Sequence, residues 1–478
     1  MRWRALIAFA LIACAAFAAL LWYNHRIRGE VQSQLYIPKR ARLTPEIELL
    51  RQYIRIDTTN PPGRELAGAQ FLDGILKKNG IRAEIIESAP GRASIYARIR
   101  GRTPGEGLLL LHHIDVVPAP PQGWTRPPFA ADIAFNQLWG RGSLDMKGIA
   151  IPQLEAFIDV ARSGRTPERD IILLGVADEE TGGKLGMQWL LEHRPDLFDG
   201  IRYVLNEGGI TETRQERLTY FGVEIGTKML VKVRLRAPTR ERMQQVRIAL
   251  EPFITPSDPD RVLPEVREFF HDIAPHRIQQ RQYLEDVTRT IAADKFWLLE
   301  RGYKELMQNV VWPGRVDSDR RGATMEVALF NLPDQDPDAR IAWLRDVVSA
   351  HGATIEEVLA KNGPAPLTSL HTPLFHLIER EVHREYGDVT VGPEILAGWA
   401  NDSRFLRAKG ITCYGVWPFP VDFFQSQGIH GIDERVRLDW FMQGVKLMRR
   451  LVQSYAFEML PAALTRFVNL RVEKTSFH

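Results

Sequence analysis

The chain has 478 residues and 45% of them are hydrophobic, which suits a globular protein of two or three domains and excludes a disordered chain. The formal net charge of +3 is too small and too evenly spread to indicate a nucleic-acid surface. Cysteine occurs only at positions 14 and 413, so no disulfide framework holds the fold.

The N-terminal segment Ala5–Tyr23 is an uninterrupted run of 19 apolar residues, close to the ~20 that span a bilayer. Arginines flank it on both sides, and we predict a membrane anchor within residues 1–30 that places the bulk of the chain outside the cytoplasm. A cleaved secretory signal is the main alternative, because small residues that suit cleavage are frequent here. A lipid anchor is a third reading, since Leu11–Cys14 resembles a bacterial lipidation box.

From about Thr44 the sequence alternates helical and strand-like segments. Apolar residues at helical spacing predict helices at 45–56, 65–80, 149–164 and 183–194, and apolar runs predict strands at 83–87, 93–99, 107–115, 170–178 and 203–209. This alternation predicts an α/β fold with a mostly parallel sheet covered by helices. In such sheets, sites lie beyond the carboxyl ends of the strands.

Acidic and imidazole side chains follow consecutive strands of this predicted sheet. They are His113 and Asp115, Asp145, the run Asp178–Glu180, and Glu207. Each cluster alone has a structural explanation, such as a solvated turn. Together, converging carboxylates would repel each other unless cations neutralised them. Carboxylate oxygens and imidazole nitrogens suit Zn²⁺, with Mn²⁺ and Co²⁺ as possible substitutes.

Five motifs in order then carry a resemblance to a known family. They are "HIDVVP" from His113, "GRGSLDMKG" from Gly140, "DEETGG" from Asp178, "NEGG" from Asn206 and "GIHGIDERV" from Gly428. Their order and spacing resemble the di-zinc family of aminoacylase, acetylornithine deacetylase and carboxypeptidase G, closest to its carboxypeptidase S branch. The resemblance covers about residues 44–225 and 370–455.

The resemblance implies a ligand set for two Zn²⁺ ions in each chain. His113 and Glu207 hold one ion, Glu180 and His430 hold the other, and Asp145 bridges both. This set implies a hydrolase that cleaves the amide bond of a small N-acyl amino acid or dipeptide-like substrate.

The catalytic roles also follow from the resemblance. Glu179 acts as the general base, and Asp115 supports His113 by hydrogen-bonding its ring. Asp178 is a structural acid. Arg404 is a candidate for pairing with a substrate carboxylate, although a salt bridge within the fold is an equal alternative.

The resemblance further implies a catalytic domain at 44–225 and 369–457, interrupted by a smaller α+β lid at 226–368 that often mediates dimerisation, with a C-terminal tail at 458–478. The segment between the lid strands is helix-rich, charged and long.

The lid departs from the family pattern, since "RAPTRERM" stands where a Gly-His-Ser motif is usual and "GRVDSDRRG" where Asn-x-Ile-Pro is usual. We therefore expect slow turnover of N-acetyl amino acids, with little further loss on changing His271 or His276. The alternative function is a metal-binding homologue that is catalytically weak or inactive and serves as a membrane-anchored binding or scaffold protein.

Overall fold

The computed structural model describes residues 43–458, except 210, 215–216, 252–261, 294, 296–298, 300–302, 305, 362–365, 397–399 and 422. The predicted anchor in residues 1–30 lies outside the described residues, as does the predicted tail beyond Glu458. Among the helices that are described, none is both long enough and apolar enough to cross a membrane.

The elements are numbered here in chain order. The described strands are β1 Ala83–Ala89, β2 Arg92–Ile99, β3 Thr103–His113, β4 Asp132–Ala134, β5 Gln137–Trp139, β6 Arg169–Val176, β7 Ile201–Asn206, β8 Thr211–Arg214, β9 Arg217–Thr227, β10 Met229–Ala237, β11 Val310–Asp319, β12 Gly322–Asn331, β13 Thr354–Lys361, β14 Thr390–Leu396, β15 Thr412–Val416 and β16 Arg435–Arg437. The described helices are α1 Pro45–Ile54, α2 Glu65–Lys78, α3 Lys147–Arg162, α4 Met187–His193, α5 Arg240–Leu250, α6 Pro264–Ile273, α7 Arg281–Leu284, α8 Val287–Ala292, α9 Pro337–Ser349, α10 Pro373–Tyr386, α11 Ser403–Arg407, α12 Phe423–Ser426 and α13 Leu438–Phe457.

The large sheet is mixed, with strand order β1-β2-β6-β3-β7-β15-β9-β14 and β8 paired to β9. The central pairings of β3 with β6 and β7, and of β7 with β15, are parallel, whereas β1 and β2 are antiparallel at one edge. The residues Leu108–Leu111 of β3 are fully buried, as expected for a strand covered on both faces. The predicted α/β class is confirmed.

Helices cover this sheet through apolar stripes at helical spacing. In α1, Ile47, Leu50 and Ile54 are fully buried, and the Thr44 hydroxyl caps the helix by accepting the N–H of Ile47 at 3.3 Å. The long helix α13 packs against α3, and both contribute to the same core. These helices hold the central strands in place and so position the strand ends where the polar clusters lie.

A second, four-stranded antiparallel sheet has the order β11-β12-β10-β13 and its own apolar core, to which α5 and α9 contribute. In β10, Val231, Val233 and Leu235 face this core, while the intervening residues are partly exposed. This architecture resembles the predicted α+β lid. The exact boundary at 226–368 stays a prediction.

The helical segment α6–α8 packs differently from the sequence-based expectation that placed it with the lid. Val266, Phe269, Phe270 and Ile273 of α6 join the core of the large sheet. They recur at helical spacing and form one apolar face, and the Phe269 ring lies 5.6 Å from the Tyr220 ring of β9. The insert is therefore part of the body that carries the polar strand ends.

Candidate active site

The polar residues predicted to lie together meet at the carboxyl ends of the central strands. His113 is the last residue of β3, the run Asp178–Glu180 follows β6, and Glu207 follows β7. Asp145 comes two residues before α3, and His430 arrives from the loop between α12 and β16. Parallel strands place their carboxyl ends at one edge of a sheet, which is why residues distant in sequence meet here.

The first cluster combines His113, Asp145 and Glu207, which could hold one metal ion. The Nε2 atom of His113 lies 2.9 Å from Oδ1 of Asp145 and 3.7 Å from Oε2 of Glu207. The three side chains are almost entirely withdrawn from solvent. Their donor set, one imidazole nitrogen and carboxylate oxygens, suits Zn²⁺ and similar divalent ions.

The second cluster shares Asp145 with the first and adds Glu180 and His430. The Nε2 atom of His430 lies 3.0 Å from Oδ2 of Asp145 and 3.1 Å from Oε2 of Glu180. The two oxygens of Asp145 therefore face two different histidines, which is the arrangement that a bridging carboxylate requires.

The electrostatics of these clusters also fit bound cations. Burial, together with the charge of Asp145, raises the pKa of Glu180 to about 7. Hydrogen bonds to Asp145 and Glu180 raise the pKa of His430 to about 11. Burial alone would lower the pKa of His113, but Glu207 and Asp145 raise it well above its ordinary value. Protonated imidazoles thus supply the positive charge that the crowded carboxylates need, a role that divalent ions can take over.

The ring of His113 is held by its second nitrogen. Its Nδ1 lies 2.8 Å from the backbone oxygen of Asp115 and 3.7 Å from the Asp115 carboxylate. A neutral ring that keeps its proton on Nδ1 and donates it to this carbonyl would leave Nε2 unprotonated and available as a metal ligand. The resemblance to the family had implied that the Asp115 side chain is the hydrogen-bond partner of the His113 ring. The structure instead places the backbone oxygen of Asp115 in that position.

The carboxylate of Asp115 instead supports the Glu179–Glu180 doublet. Its two oxygens each accept a backbone N–H, from Glu179 and from Glu180, both at 3.2 Å, and the amide of Asn60 donates to it at 2.9 Å. Asp178 precedes the doublet in a left-handed backbone conformation with φ of 68° and is tied to Arg92 at 2.7 Å. Asp178 thus has the structural role predicted for it.

The doublet forms a short 3₁₀ turn, Glu179–Thr181, and its two carboxylates have different neighbours. Glu180 joins the second cluster, while Glu179 belongs to neither cluster and lines the same cavity. Burial, followed by repulsion from Glu207 and Asp402, raises the pKa of Glu179 well above its ordinary value. A carboxylate with a raised pKa is suited to exchanging protons near neutral pH.

Arg404 lies beside this doublet on α11. It is 8% exposed, its Nη1 donates to the backbone oxygen of Asn401 at 2.8 Å, and the same nitrogen lies 3.8 Å from Oε1 of Glu179. Its Nε is buried and makes no hydrogen bond within the described part of the chain. Both readings of this residue, as a substrate contact and as a structural ion pair, are compatible with this position.

The structure reveals one important residue that sequence reasoning missed. Glu434 is fully buried, and its carboxylate accepts the backbone N–H groups of Gly142 at 3.1 Å, Leu144 at 2.7 Å and Asp145 at 3.1 Å. It also pairs with Arg141 at 2.6 Å. Glu434 stands inside the quoted "GIHGIDERV" motif, four residues after His430, and its place in that motif was the available signal.

The two histidines of the insert have different surroundings. The side chain of His271 is 74% exposed on α6. His276 lines the cavity that also contains Glu179 and His430, and its Nε2 lies 3.2 Å from Oγ1 of Thr390. The expectation that both substitutions have little effect stays a prediction.

Comparisons with known proteins show the family of this chain. The sequence profile of peptidase family M20/M25/M40 matches residues 109–454, well over half of the chain. The chain belongs to this family. Human aminoacylase-1 is 27% identical over 433 residues, covering 86% of this chain and 95% of its own length.

Two further proteins support the same relationship. A probable carboxypeptidase S-like protein of Dictyostelium discoideum is 24% identical over 384 residues, covering 73% of this chain and 71% of its own length. The crystal structure of an M20 family metallo-carboxypeptidase from Sulfolobus solfataricus superposes with a TM-score of 0.65 at 18% identity, over 86% of this chain and 99% of that one. The fold is therefore that of M20 peptidases.

The M20 chain is a metal-dependent hydrolase of the metallopeptidase and aminoacylase type, acting on small amides or peptides. The alternative of an inactive scaffold protein is not supported by these relatives, nor is the predicted homodimer. The predicted localisation, a single N-terminal pass with an extracytoplasmic catalytic domain, is not supported and is withdrawn. Human aminoacylase-1 matches 86% of this chain, and none of the helices in the described part is able to cross a membrane.

Proposed function

We propose that this M20 enzyme hydrolyses the amide bond of an N-acyl amino acid or dipeptide-like substrate, using two Zn²⁺ ions and Glu179 as the general base. The observation that carries the proposal is the pair of imidazole–carboxylate clusters that share Asp145, with Glu179 left over in the same cavity. A site with metal ligands and an additional buried carboxylate suits hydrolysis by an activated water.

The residues fit two divalent ions. His113 and Glu207 would hold one ion, Glu180 and His430 the other, and Asp145 both, because its two oxygens face the two imidazoles. Oxygen and nitrogen donors without thiolates favour Zn²⁺ in a hydrolytic site, and Mn²⁺ or Co²⁺ are possible substitutes. When bound, the ions would act as Lewis acids that polarise the amide carbonyl and lower the pKa of the attacking water.

Glu179 would move the proton. Its carboxylate accepts a proton from water as the water oxygen forms a bond to the amide carbon. It then donates this proton to the departing nitrogen as the carbon–nitrogen bond breaks, which leaves a carboxylic acid and an amine. The raised pKa of Glu179 supports both the uptake and the return of the proton.

Asp115 would position the catalytic carboxylates, and Arg404 would bind the substrate. Asp115 positions the doublet by accepting the N–H groups of Glu179 and Glu180. The guanidinium of Arg404, which lies within 4 Å of the Glu179 carboxylate, would contact the carboxylate of an N-acyl amino acid. Bidentate binding of that carboxylate would hold the scissile amide near Glu179.

The test compares Glu179→Gln with Glu180→Gln in a hydrolysis screen over N-acyl amino acids and dipeptides, with metal content measured on the same samples. Glu179→Gln should keep its metal and lose ~10²- to 10⁴-fold in kcat, the usual contribution of general acid–base catalysis. Glu180→Gln should lose metal first, because Glu180 belongs to the second cluster.

The same screen can contradict the proposal. Equal loss of metal from both variants would show that the roles of the doublet are misassigned. A Glu179→Gln variant with the rate of the unchanged enzyme would eliminate Glu179 as the base.

A further inference from the structure

His430 is the most exposed of the five candidate metal ligands. Its side chain is 43% exposed, whereas those of the other four are between 1% and 14% exposed. The other four lie at strand ends or close to the start of α3, but His430 stands in the loop 427–434 between α12 and β16, here called the His430 loop, with φ of 56°. A ligand on an exposed loop needs contacts from elsewhere in the fold to hold its ring in place.

Arg141 makes such contacts to the His430 loop. The residue is 2% exposed. Its Nη2 donates to the backbone oxygen of Gly431 at 2.6 Å, and its Nη1 donates to that of Gly428 at 3.4 Å, so the two acceptors stand on either side of His430 in the chain. A planar guanidinium holds its donors in a fixed fork, and binding two carbonyls at once therefore restricts the loop more than a single ammonium could.

The same guanidinium joins the His430 loop to the Asp145 loop, residues 140–146 between β5 and α3. Arg141 belongs to the Asp145 loop, and its Nη1 donates to Oε2 of Glu434 at 2.6 Å. The Glu434 carboxylate in turn accepts the backbone N–H of Asp145 at 3.1 Å. Asp145 and His430 both belong to the second cluster. The ion pair therefore connects the two chain segments that must stay together if this cluster is to hold an ion.

Burial distinguishes this pair from the other contact of the His430 loop. The side chains of Arg141 and Glu434 are 3% and 0% exposed, and the guanidinium carbon lies 5.3 Å from the centre of the Trp124 ring. On the exposed side of the loop, the hydroxyl and the backbone N–H of Thr125 donate to the carboxylate of Asp433, both at 2.7 Å. Losing one partner of a buried pair leaves a charge without compensation, whereas exposed polar contacts contribute little.

We infer that Arg141 is a positioning residue of the metal centre, whose guanidinium holds the His430 loop on the Asp145 loop and so keeps the ion of the second cluster bound. The inference rests on the proposed two-ion site and adds to it the group that maintains one half. No hydrogen bond in the described part of the chain joins this guanidinium to His113 or Glu207, the other members of the first cluster. Loss of the fork should therefore release one ion and not both.

The test replaces Arg141 by Lys, which keeps the positive charge but not the fork. Competition with a chromophoric chelator should show a ~10- to 100-fold loss in affinity for one zinc ion and a loss of less than ~3-fold for the other, because groups that orient metal ligands usually contribute the larger factor. In cobalt-loaded protein, the visible absorption of one of the two equivalents should change. It should be the equivalent that His430→Ala removes, which assigns the loss to the second cluster.

Two variants control for effects on the fold and on the loop. Arg98→Lys changes a guanidinium that also pairs with a buried carboxylate, that of Asp170 at 2.7 Å, at the start of β6. Thr125→Val removes the hydroxyl contact with Asp433 on the exposed side of the His430 loop. Both variants should keep both ions with affinities changed by less than ~3-fold, because neither removes a contact of the fork.

The same measurements can overturn the inference without the proposed function. Arg141→Lys with unchanged affinity for both ions, or with an equal loss of both, would do so while the unchanged protein still binds two ions. An equal loss of the second ion from Thr125→Val would do so as well, since any weakening of the loop would then suffice. Unchanged protein that binds no second ion would refute the two-ion site and the inference with it.

Trp124→Leu decides the matter if Arg141→Lys does not fold, as judged by circular dichroism. This variant keeps the hydrogen-bonding groups of the fork and uncovers one face of the guanidinium. It should weaken binding of the same ion by at least ~2-fold, the smallest effect expected when a cation–π contact is lost. Unchanged affinity for that ion would overturn the role of Arg141.

Discussion

Replacing Glu434 by Gln tests how the loop that carries Asp145 is held. The carboxylate of Glu434 accepts three backbone N–H groups, from Gly142, Leu144 and Asp145, and pairs with Arg141. Each of the two Glu434 carboxylate oxygens accepts two donors. Gln has an NH₂ group in place of one of these oxygens, so the two donors that faced that oxygen would then face another donor. The loop should then hold Asp145 less firmly between the two histidines.

The magnitude follows from the contacts. Each hydrogen bond to a charged group contributes ~1.5–3 kcal/mol, and Gln forfeits about two of them, which gives ~3–6 kcal/mol. Burial raises the pKa of Glu434 even though the Arg141 guanidinium opposes the rise, so desolvation offsets part of the gain. We therefore expect a loss of ~3 kcal/mol in unfolding free energy and a ~10- to 100-fold loss in metal affinity.

Urea unfolding of the metal-free protein gives the first quantity, and competition with a chromophoric chelator gives the second. Glu381→Gln is the matched control, since Glu381 is also fully buried and pairs with Arg380 at 2.8 Å and Arg384 at 2.9 Å on α10, away from the clusters. It should lose stability and keep its metal affinity. A folded Glu434→Gln variant with unchanged metal affinity would refute the reasoning.

Other predictions concern buried groups. Arg407→Leu should lower the free energy of unfolding in urea by ~3–5 kcal/mol, because the buried Glu224 carboxylate would lose the guanidinium that lies 2.7 Å away. A loss of less than ~1 kcal/mol would contradict this. At pH 8 the Cys413 thiol should react with thiol reagents only after unfolding, because burial raises its pKa to about 12 and the thiolate is the reactive form; peptide mapping detects early labelling. Zinc added to metal-free protein at pH 8 should release protons, because hydrogen bonding, first to Asp145, raises the pKa of His430 to about 11 and metal binding displaces that proton. Calorimetry in buffers of different ionisation enthalpy measures the release, and no release would contradict it.

The sequence predicts the parts of the site that depend on strand ends. A buried apolar run such as Leu108–Leu111 marks a central strand, and the polar residues after it must lie at the sheet edge. The structure brings His113, Asp145, Glu180 and Glu207 together there. His430 could be placed beside them only through the resemblance to a family, because nothing in its local sequence shows which strand ends it faces.

Other features depend on contacts between distant residues. The hydrogen bond from Leu144 to Glu434 joins positions 290 residues apart, and no local periodicity predicts it. The amphipathic face of α6 is visible in the sequence, but the sheet against which it packs is not.

The metal content of the purified enzyme tests the central claim most directly. Elemental analysis of protein prepared without chelator should give about two zinc ions per chain, and His113→Ala and His430→Ala should each retain about one, because each histidine belongs to one cluster. Removal by chelator should abolish hydrolysis, and two equivalents of zinc should restore it. Protein that carries no metal, gains no stability on adding zinc and keeps its activity in chelator would contradict the two-metal site built around Asp145.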